Sequence, residues 1–414
     1  MTNAEILTPA PAPTAARVRR VFVKSLFGRF KHSVELRREE RVTILLGPNG
    51  VGKTRLLELV AALAQGRIDQ LTAVPFEELR VELDDDRVIV VRRNADAAPL
   101  DFSLSQHGQQ KERWVARPKR TPFHFMSVPP SQASIVALPE WLRTLFERNP
   151  VHLIETQRLV RWRRHDGKGG DPQDDAQPVS FAVEELADDL ANRVADAQSQ
   201  YAREAQRLEK TYVERLLRPR ETTEVSMARV HARLVHLAVQ RTRLESLGLL
   251  AADEPVSTGP AVNLQPEQVR VVDLFTTDME RKLNVLEPLA RSIELLVGSV
   301  NAKFRDKKLR LSRTQGLVVE CEPDGRPIEV QALSSGEQHE LVLLFDLIFR
   351  VQKGTLVLID EPELSLHPEW QMQFVDDLMT IAQDRQFDVL LATHSPYIVG
   401  TRSDLCVALR SEPQ

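Results

Sequence analysis

Gly47, Pro48, Asn49, Gly50, Val51, Gly52, Lys53 and Thr54 sit between a short apolar run, Thr43 to Leu46, and the apolar-periodic stretch RLLELVAALA. They fit the pattern G-x-x-x-x-G-K-[ST] at a strand-to-helix junction. In such a loop the glycines let backbone N–H groups turn inward around phosphate oxygens. The lysine reaches the β- and γ-phosphates, the hydroxyl can ligate Mg²⁺, and the helix adds its positive N-terminal end. A second set is LVLIDEPE, residues 356–363. Four apolar residues make a buried strand, Asp360 emerges where Mg²⁺ would sit, and Glu361 adjoins it as a candidate general base for an attacking water. The plainer reading of Asp360 and Glu361 is an acidic turn after a core strand. A third set, ALSSGEQHE (332–340), opens a helix at Ser334, Ser335 and Gly336. Its N-terminus could receive a phosphate, although serine at a helix start is also ordinary capping.

These residues must be positioned by a chain of 414 residues, enough for about two domains on a prior of ~100–200 residues each. With 55 Lys+Arg against 59 Asp+Glu the formal charge is −4, so any nucleic-acid contact is a local patch and not a polycation. No apolar run approaches the ~18 residues of a membrane span, and the Ala/Pro/Thr-rich start (1–16) reads as a flexible tail without a signal peptide. Cys321 and Cys406 are too few for a disulfide scaffold or a four-cysteine zinc site. A soluble cytoplasmic protein with no membrane partner is expected.

Strands are expected at 19–23, 43–46, 79–83, 87–92 and 151–155, the pair at 79–92 forming a small antiparallel sheet around an Asp-rich turn. HDGKGGDPQDDAQP begins a linker, 165–180. Residues 181–217 then carry apolar positions 186, 190, 194, 197, 201, 205, 208, 212 and 216, steps of 4-4-3 that make an eleven-residue repeat. A second run, 225–247, carries 227, 230, 234, 237 and 244 on one stripe. The pair reads as an antiparallel hairpin over 181–250, projecting roughly 50 Å. The alternative is two helices packed on a globular core. After a linker at 251–265 come a helix at 266–300, strands at 308–312, 317–321 and 328–331, a helix at 336–350, a strand at 355–359, a helix at 369–384 and a strand at 387–391. The fold class is α/β, one domain whose halves (17–164 and 266–414) are separated by a helical insertion.

Taken in order, the phosphate loop, LSSGEQ, LVLIDEPE and LLATHS (390–395) resemble the ABC-type ATPases of the SMC/RecF kind. The likeness is strongest to stand-alone bacterial AAA-type relatives of the OLD ATPases found in anti-phage defence systems. The resemblance implies a P-loop NTPase fold, an ABC-ATPase head with an inserted coiled-coil hairpin, and ATP and Mg²⁺ as cofactors. It implies that Ser334, Ser335, Gly336 and Glu337 form a signature offered in trans to a partner's ATP, hence a homodimer or higher homo-oligomer. It implies that His394 is a switch histidine contacting the γ-phosphate. IETQRL (154–159) resembles the Q-loop, making Gln157 a sensor near Mg²⁺ and the attacking water. His367 stands where many ABC proteins carry an aspartate. The hairpin tip has no Cys-x-x-Cys, so no zinc hook is expected. OLD nucleases continue into a TOPRIM domain, and this chain stops about twenty residues after His394. A separate effector protein is therefore expected, a nuclease of TOPRIM or HNH type or a toxin.

Two functional readings follow: an ATPase that controls an effector in defence, or a DNA repair and recombination ATPase acting on DNA. A transporter subunit is disfavoured, because transporter motors lack a coiled-coil insertion after the Q-loop. Arg158, Arg161, Arg163 and Arg164 with Trp162 could contact DNA phosphates or form a solvated loop. Arg305, Lys307, Lys308 and Arg310 read more simply as a solvated basic run.

Overall fold

The computed structural model describes residues 16–93, 99–116, 138–154, 178–217, 227–251, 265–312 and 316–409. In chain order the strands are β1 (Val18–Leu26), β2 (Phe30–Glu35) and β3 (Val42–Leu46), then helices α1 (Lys53–Gln65) and α2 (Ile68–Ala73). β4 (Glu78–Leu83), β5 (Arg87–Arg93), β6 (Leu100–Gln106), β7 (Gln109–Ala116), α3 (Glu140–Arg148) and β8 (Val151–Ile154) follow. Next come α4 (Pro178–Leu217), α5 (Met227–Ser246), α6 (Pro266–Asn284), α7 (Glu287–Asn301), β9 (Lys307–Ser312), β10 (Gly316–Cys321), β11 (Pro327–Ile328) and α8 (Ser335–Phe345). β12 (Leu356–Asp360), α9 (Pro368–Arg385), β13 (Asp388–Thr393), α10 (Pro396–Val399) and β14 (Cys406–Ala408) complete the order. The chain divides into two compact units, one of residues 1–157 with 350–414 and one of 158–349. Residues 266–349 thus cluster with α4 and α5 and not with the segment that follows them.

The first unit holds two sheets. One is six-stranded and antiparallel, in the order β2-β1-β4-β5-β6-β7. The expected pair at 79–92 is therefore the middle of a larger sheet, whose outer strands alternate too weakly to be read from the sequence. The other is five-stranded, in the order β14-β3-β13-β12-β8, with every pairing parallel. Parallel strands are buried on both faces, which is why VTILL, LVLID and DVLLAT are nearly continuous apolar runs. α1 buries Leu56, Leu57, Leu59, Val60, Ala61, Ala62 and Leu63, so it is apolar almost all round. It shares one core with Val21 and Val23 of β1, Leu79 and Val81 of β4, and Leu358 and Leu390 of the parallel sheet.

In the second unit, the stripe read from 181–217 is the buried one: Leu186, Leu190, Val194 and Leu208 are each at most 1% exposed. The two helices do not form a free projecting arm. α4 and α5 each lie against α6 more than against each other. Arg215 pairs with Asp278 and Glu209 with Lys282, so α4 runs antiparallel to α6. Arg233 binds Asp273 at 2.5 Å and Glu280 at 2.6 Å, and Arg243 binds Glu287 and Glu294 of α7, so α5 runs along α6 in the same direction. Periodicity showed which faces are apolar but not what covers them: α6, with Phe275 and Met279 near Leu208 and Leu237, together with β10 and α8 against α4.

The helix expected over 266–300 is two helices, α6 and α7. Pro288 lacks the N–H that would bond the Asn284 carbonyl, and its ring crowds that carbonyl, so the chain breaks at Val285–Leu286. The strand expected at 328–331 is only Pro327–Ile328, followed by a single 3-10 turn at Val330–Ala332. β9, β10 and β11 make a three-stranded antiparallel sheet against which α4 packs.

That packing is tight at Gly316, where φ is +70° and a Cβ would lie 2.2 Å from the Ala187 carbonyl oxygen. Gly316→Ala should cost about 2–3 kcal/mol, from the left-handed backbone and the clash together. Thermal unfolding checks this, and an unchanged Tm would mean that α4 is not seated on β10. In the first unit, His32 of β2 is 2% exposed and its Nε2–H donates to the Val51 carbonyl at 2.9 Å. Burial pushes its imidazole below the ordinary value of 6.5, more than that hydrogen bond raises it. Below 6.5 the unfolded chain takes up a proton that the folded chain refuses. This contribution to stability is complete above that pH and is lost as pH falls through the folded value. Melting temperatures measured from about pH 8 to about pH 5.5 should therefore fall more steeply for the wild type than for His32→Gln. Parallel slopes would remove His32 from the account.

Candidate functional site

The strand order of the parallel sheet brings the sequence motifs together. β3, β13 and β12 are neighbours and point the same way, so their carboxyl ends leave the sheet side by side. β3 runs into Gly47, β13 runs into His394, and β12 ends on Asp360. In open parallel sheets this edge is where ligands bind.

The loop after β3 turns through Gly50 and Gly52, with φ of 83° and 96°. At Gly52 a Cβ would also come within 2.6 Å of Leu26 Cδ2, so only glycine fits. Lys53 begins α1 and is 5% exposed. Its Nζ donates to the Gly47 carbonyl at 2.7 Å and stands 3.9 Å from Glu361 Oε1. The loop therefore carries a nearly buried cation next to its own N–H groups, facing the acidic strand end.

Thr54 Oγ1 donates to Asp360 Oδ1 at 3.2 Å. A hydroxyl and a carboxylate oxygen are the hard donors that suit Mg²⁺, and these are the residues that could hold it. Burial raises the Asp360 carboxyl above its ordinary value, against the Thr54 hydrogen bond. A divalent cation offsets that kind of desolvation.

Glu361 has a left-handed backbone, φ 44° and ψ 56°, uncommon for a side chain with a Cβ. Its N–H donates to the Ala392 carbonyl at 2.9 Å, which keeps the turn against the end of β13. His394 Nδ1 hydrogen-bonds the Glu361 carboxylate. Burial and the neighbouring Glu363 carboxylate push Glu361 up to about 7, with His394 pulling the other way. Such a group is basic enough near neutral pH to accept a proton from water.

Glu363, two residues on, was not singled out by sequence. Its side chain is 6% exposed. One oxygen, Oε1, accepts from the Thr393 hydroxyl at 2.6 Å, the His394 N–H at 3.0 Å and the Ser395 N–H at 3.1 Å. Burial raises this carboxyl, but those hydrogen bonds and its contact with Glu361 outweigh it and hold Glu363 below the ordinary range. Gln371 of α9 completes the network. It donates to the Glu363 carbonyl at 3.3 Å and accepts from the Ser395 hydroxyl at 3.0 Å. The only sequence signal was proximity, since Glu363 lies beside Glu361, and Thr393 and Ser395 flank His394. Glu361, Glu363 and His394 each bring a ligand atom within 4.8 Å of one another, but Lys53 already supplies positive charge beside them.

The LSSGEQ segment lies in the second unit. Ser334 caps α8: its hydroxyl accepts from the Glu337 N–H, and the Glu337 carboxylate accepts from the Ser334 N–H at 2.7 Å. Ser334 and Ser335 are exposed at that helix end. Lys307 reaches both Glu337 oxygens at 2.8 Å and holds that carboxyl low, although burial alone would raise it. Glu340, one turn on, makes a fully buried ion pair with Lys303. In the basic run, Lys307, Lys308 and Arg310 are all ion-paired with glutamates of the same unit. Gln157 and the Arg158–Arg164 stretch lie outside the described residues.

Residues 42–400 match a family model described as "AAA domain, putative AbiEii toxin, Type IV TA system". Among curated proteins, the "Retron Vc95 probable ATPase" of Vibrio cholerae serotype O1 biovar El Tor is 29% identical over 149 residues, 32% of this chain. The match spans 29% of that relative's length. The Smc head of Pyrococcus furiosus with an extended coiled coil, bound to the C-terminal domain of ScpA, aligns at 12% identity over 96% of this chain and 95% of its own. The TM-score is 0.39, a remote likeness. The Thermotoga maritima SMC head aligns at 12% identity, 96% and 97% coverage and a TM-score of 0.38. No described helix is long and apolar enough to cross a membrane. With a glycine-rich loop, an acidic strand end and a histidine gathered at one edge of a parallel sheet, and a family model matched along most of its length, the chain belongs to this AAA-domain family of ATPases.

Proposed function

We propose that the chain binds MgATP and hydrolyses it to ADP and phosphate, and that it does so as a head-to-tail dimer. The observation that carries this reading is the convergence of Lys53, Glu361 and His394 at the ends of three adjacent parallel strands. Gly47 to Thr54 cradle the phosphates, with Lys53 and the N-terminus of α1 offsetting their charge. Thr54 and Asp360 hold Mg²⁺, with Gln157 near it; the ion neutralises charge on the phosphate oxygens. Glu361 accepts a proton from the attacking water, and His394 contacts the γ-phosphate. Ser334, Ser335, Gly336 and Glu337 dock on the nucleotide of the partner subunit. The exposed serines at a capped helix N-terminus, held by Lys307, are suited to receive a phosphate.

The biological setting we favour is control of a separate effector, nuclease or toxin, in anti-phage defence. A retron ATPase among the relatives and a family description naming a toxin–antitoxin system support it. In that setting residues 17–164 and 266–414 supply the ATPase head, and the helices of 181–250 pass its motion to the partner.

Glu361→Gln should retain ATP binding and lose roughly 10²–10⁴-fold in hydrolysis, the worth of a positioned general base. Its ATP-bound dimer should accumulate, because opening follows hydrolysis. Ser335→Arg should bind ATP and stay monomeric, since the bulk occupies the place of the partner's γ-phosphate. Light scattering with and without MgATP, paired with phosphate release, reads both. Wild-type hydrolysis by Glu361→Gln, or ATP-driven dimers of Ser335→Arg, would show the assigned roles to be wrong. DNA-stimulated turnover would favour repair over defence.

A further inference from the structure

Glu363 is placed as though two pieces of chain are meant to move as one. It stands in a 3-10 turn, Pro362–Ser365, immediately after Glu361. Its Oε1 gathers three donors from the far side: the Thr393 hydroxyl and the N–H groups of His394 and Ser395. The same oxygen lies 3.2 Å from His394 Nδ1, the nitrogen that also meets Glu361. Gln371 ties the Glu363 backbone to Ser395 from behind. Three hydrogen bonds to one carboxylate oxygen are more than solubility or capping requires. An acidic side chain only 6% exposed is rare unless it is paired.

We infer that Glu363 is a positioning residue for hydrolysis. It fastens the segment Thr393–Ser395 to the segment bearing Glu361 and so fixes the distance and angle between His394 and the catalytic carboxylate. It touches neither nucleotide nor metal in this role, and it acts through His394 and Glu361. The inference rests on the reading of Glu361 as general base. Without Glu363, the three donors of 393–395 lose their shared acceptor, and His394 is left against Glu361 by its own Nδ1 contact alone, free to shift in distance and angle. A displacement of about 1 Å at such a group costs on the order of 10²-fold in rate.

The test compares Glu363→Ala, Glu363→Gln, His394→Ala and the Glu363→Ala/His394→Ala double variant in the full chain. Each is assayed well below its own melting temperature. Glu363→Ala should lower kcat roughly 10²-fold while the KM for ATP stays within about twofold, the pattern of a lost transition-state interaction. Glu363→Gln, whose amide oxygen can accept the same three hydrogen bonds, should recover most of that loss. The double variant should be no slower than His394→Ala alone, because the two residues act as a unit. The inference is overturned if Glu363→Ala retains kcat, if its loss lies in KM, if Glu363→Gln is as slow as Glu363→Ala, or if the two losses multiply. Glu361→Gln run alongside separates the two claims. If it hydrolyses ATP like wild type, the general-base reading fails whatever the Glu363 series shows.

Discussion

Three carboxylates within four residues, Asp360, Glu361 and Glu363, leave the end of one apolar strand in a place largely withdrawn from water. Their mutual repulsion and lost hydration are the constraint around which this edge of the molecule is arranged. Each is balanced differently. Asp360 has the Thr54 hydroxyl and an environment fit for a divalent cation. Glu361 has Lys53 and His394, and still sits high enough to work as a base near neutral pH. Glu363 has the N–H groups at the end of β13. The glycine loop, the buried lysine and the order of the strands all serve this balance. Separating β3 from β13 would take Thr54 from Asp360 and Lys53 from Glu361, and separating β13 from β12 would take His394 from Glu361 and the N–H donors from Glu363.

The motifs that do chemistry were legible because their chemistry dictates residue type at fixed spacing. A loop that turns its N–H groups inward needs Gly50 and Gly52 at positive φ, and a strand buried on both faces must read LVLI before its first carboxylate. Glu363 was not legible. Nothing in DEPE says which glutamate faces water chemistry and which folds back onto β13, because that depends on a contact 30 residues away. His32 escaped for the same reason, lying in β2 and touching Val51 across the unit. The outer strands β6 and β7 carry polar residues on their open face, which blurred the alternation that marks β4 and β5.

The helical segment shows the other kind of limit. The 4-4-3 steps identified the buried face of α4 almost residue by residue, yet a stripe names a face and not its partner. Arg233 and Arg243 of α5 stand off the apolar stripe, and the periodicity says nothing of their partners. They are the links to α6 and α7, each meeting two acidic side chains. The same holds for Lys307: a surface run in sequence, it is a brace under the cap of α8 in three dimensions.

The strand order has a further consequence for how the protein is made. In the parallel sheet, β3 and β8 come from the first half of the chain, whereas β13 and β12, which lie between them, come from its last 60 residues or so. As synthesis proceeds from the N-terminus, β3 and β8 emerge as apolar strands with no neighbour to pair with. The second unit, built from one uninterrupted stretch, can complete itself first. This edge of the sheet closes only when β12 and β13 slot into the gap. Until then two apolar strand edges are open to chaperones or to another nascent copy, a window set by topology and independent of ATP.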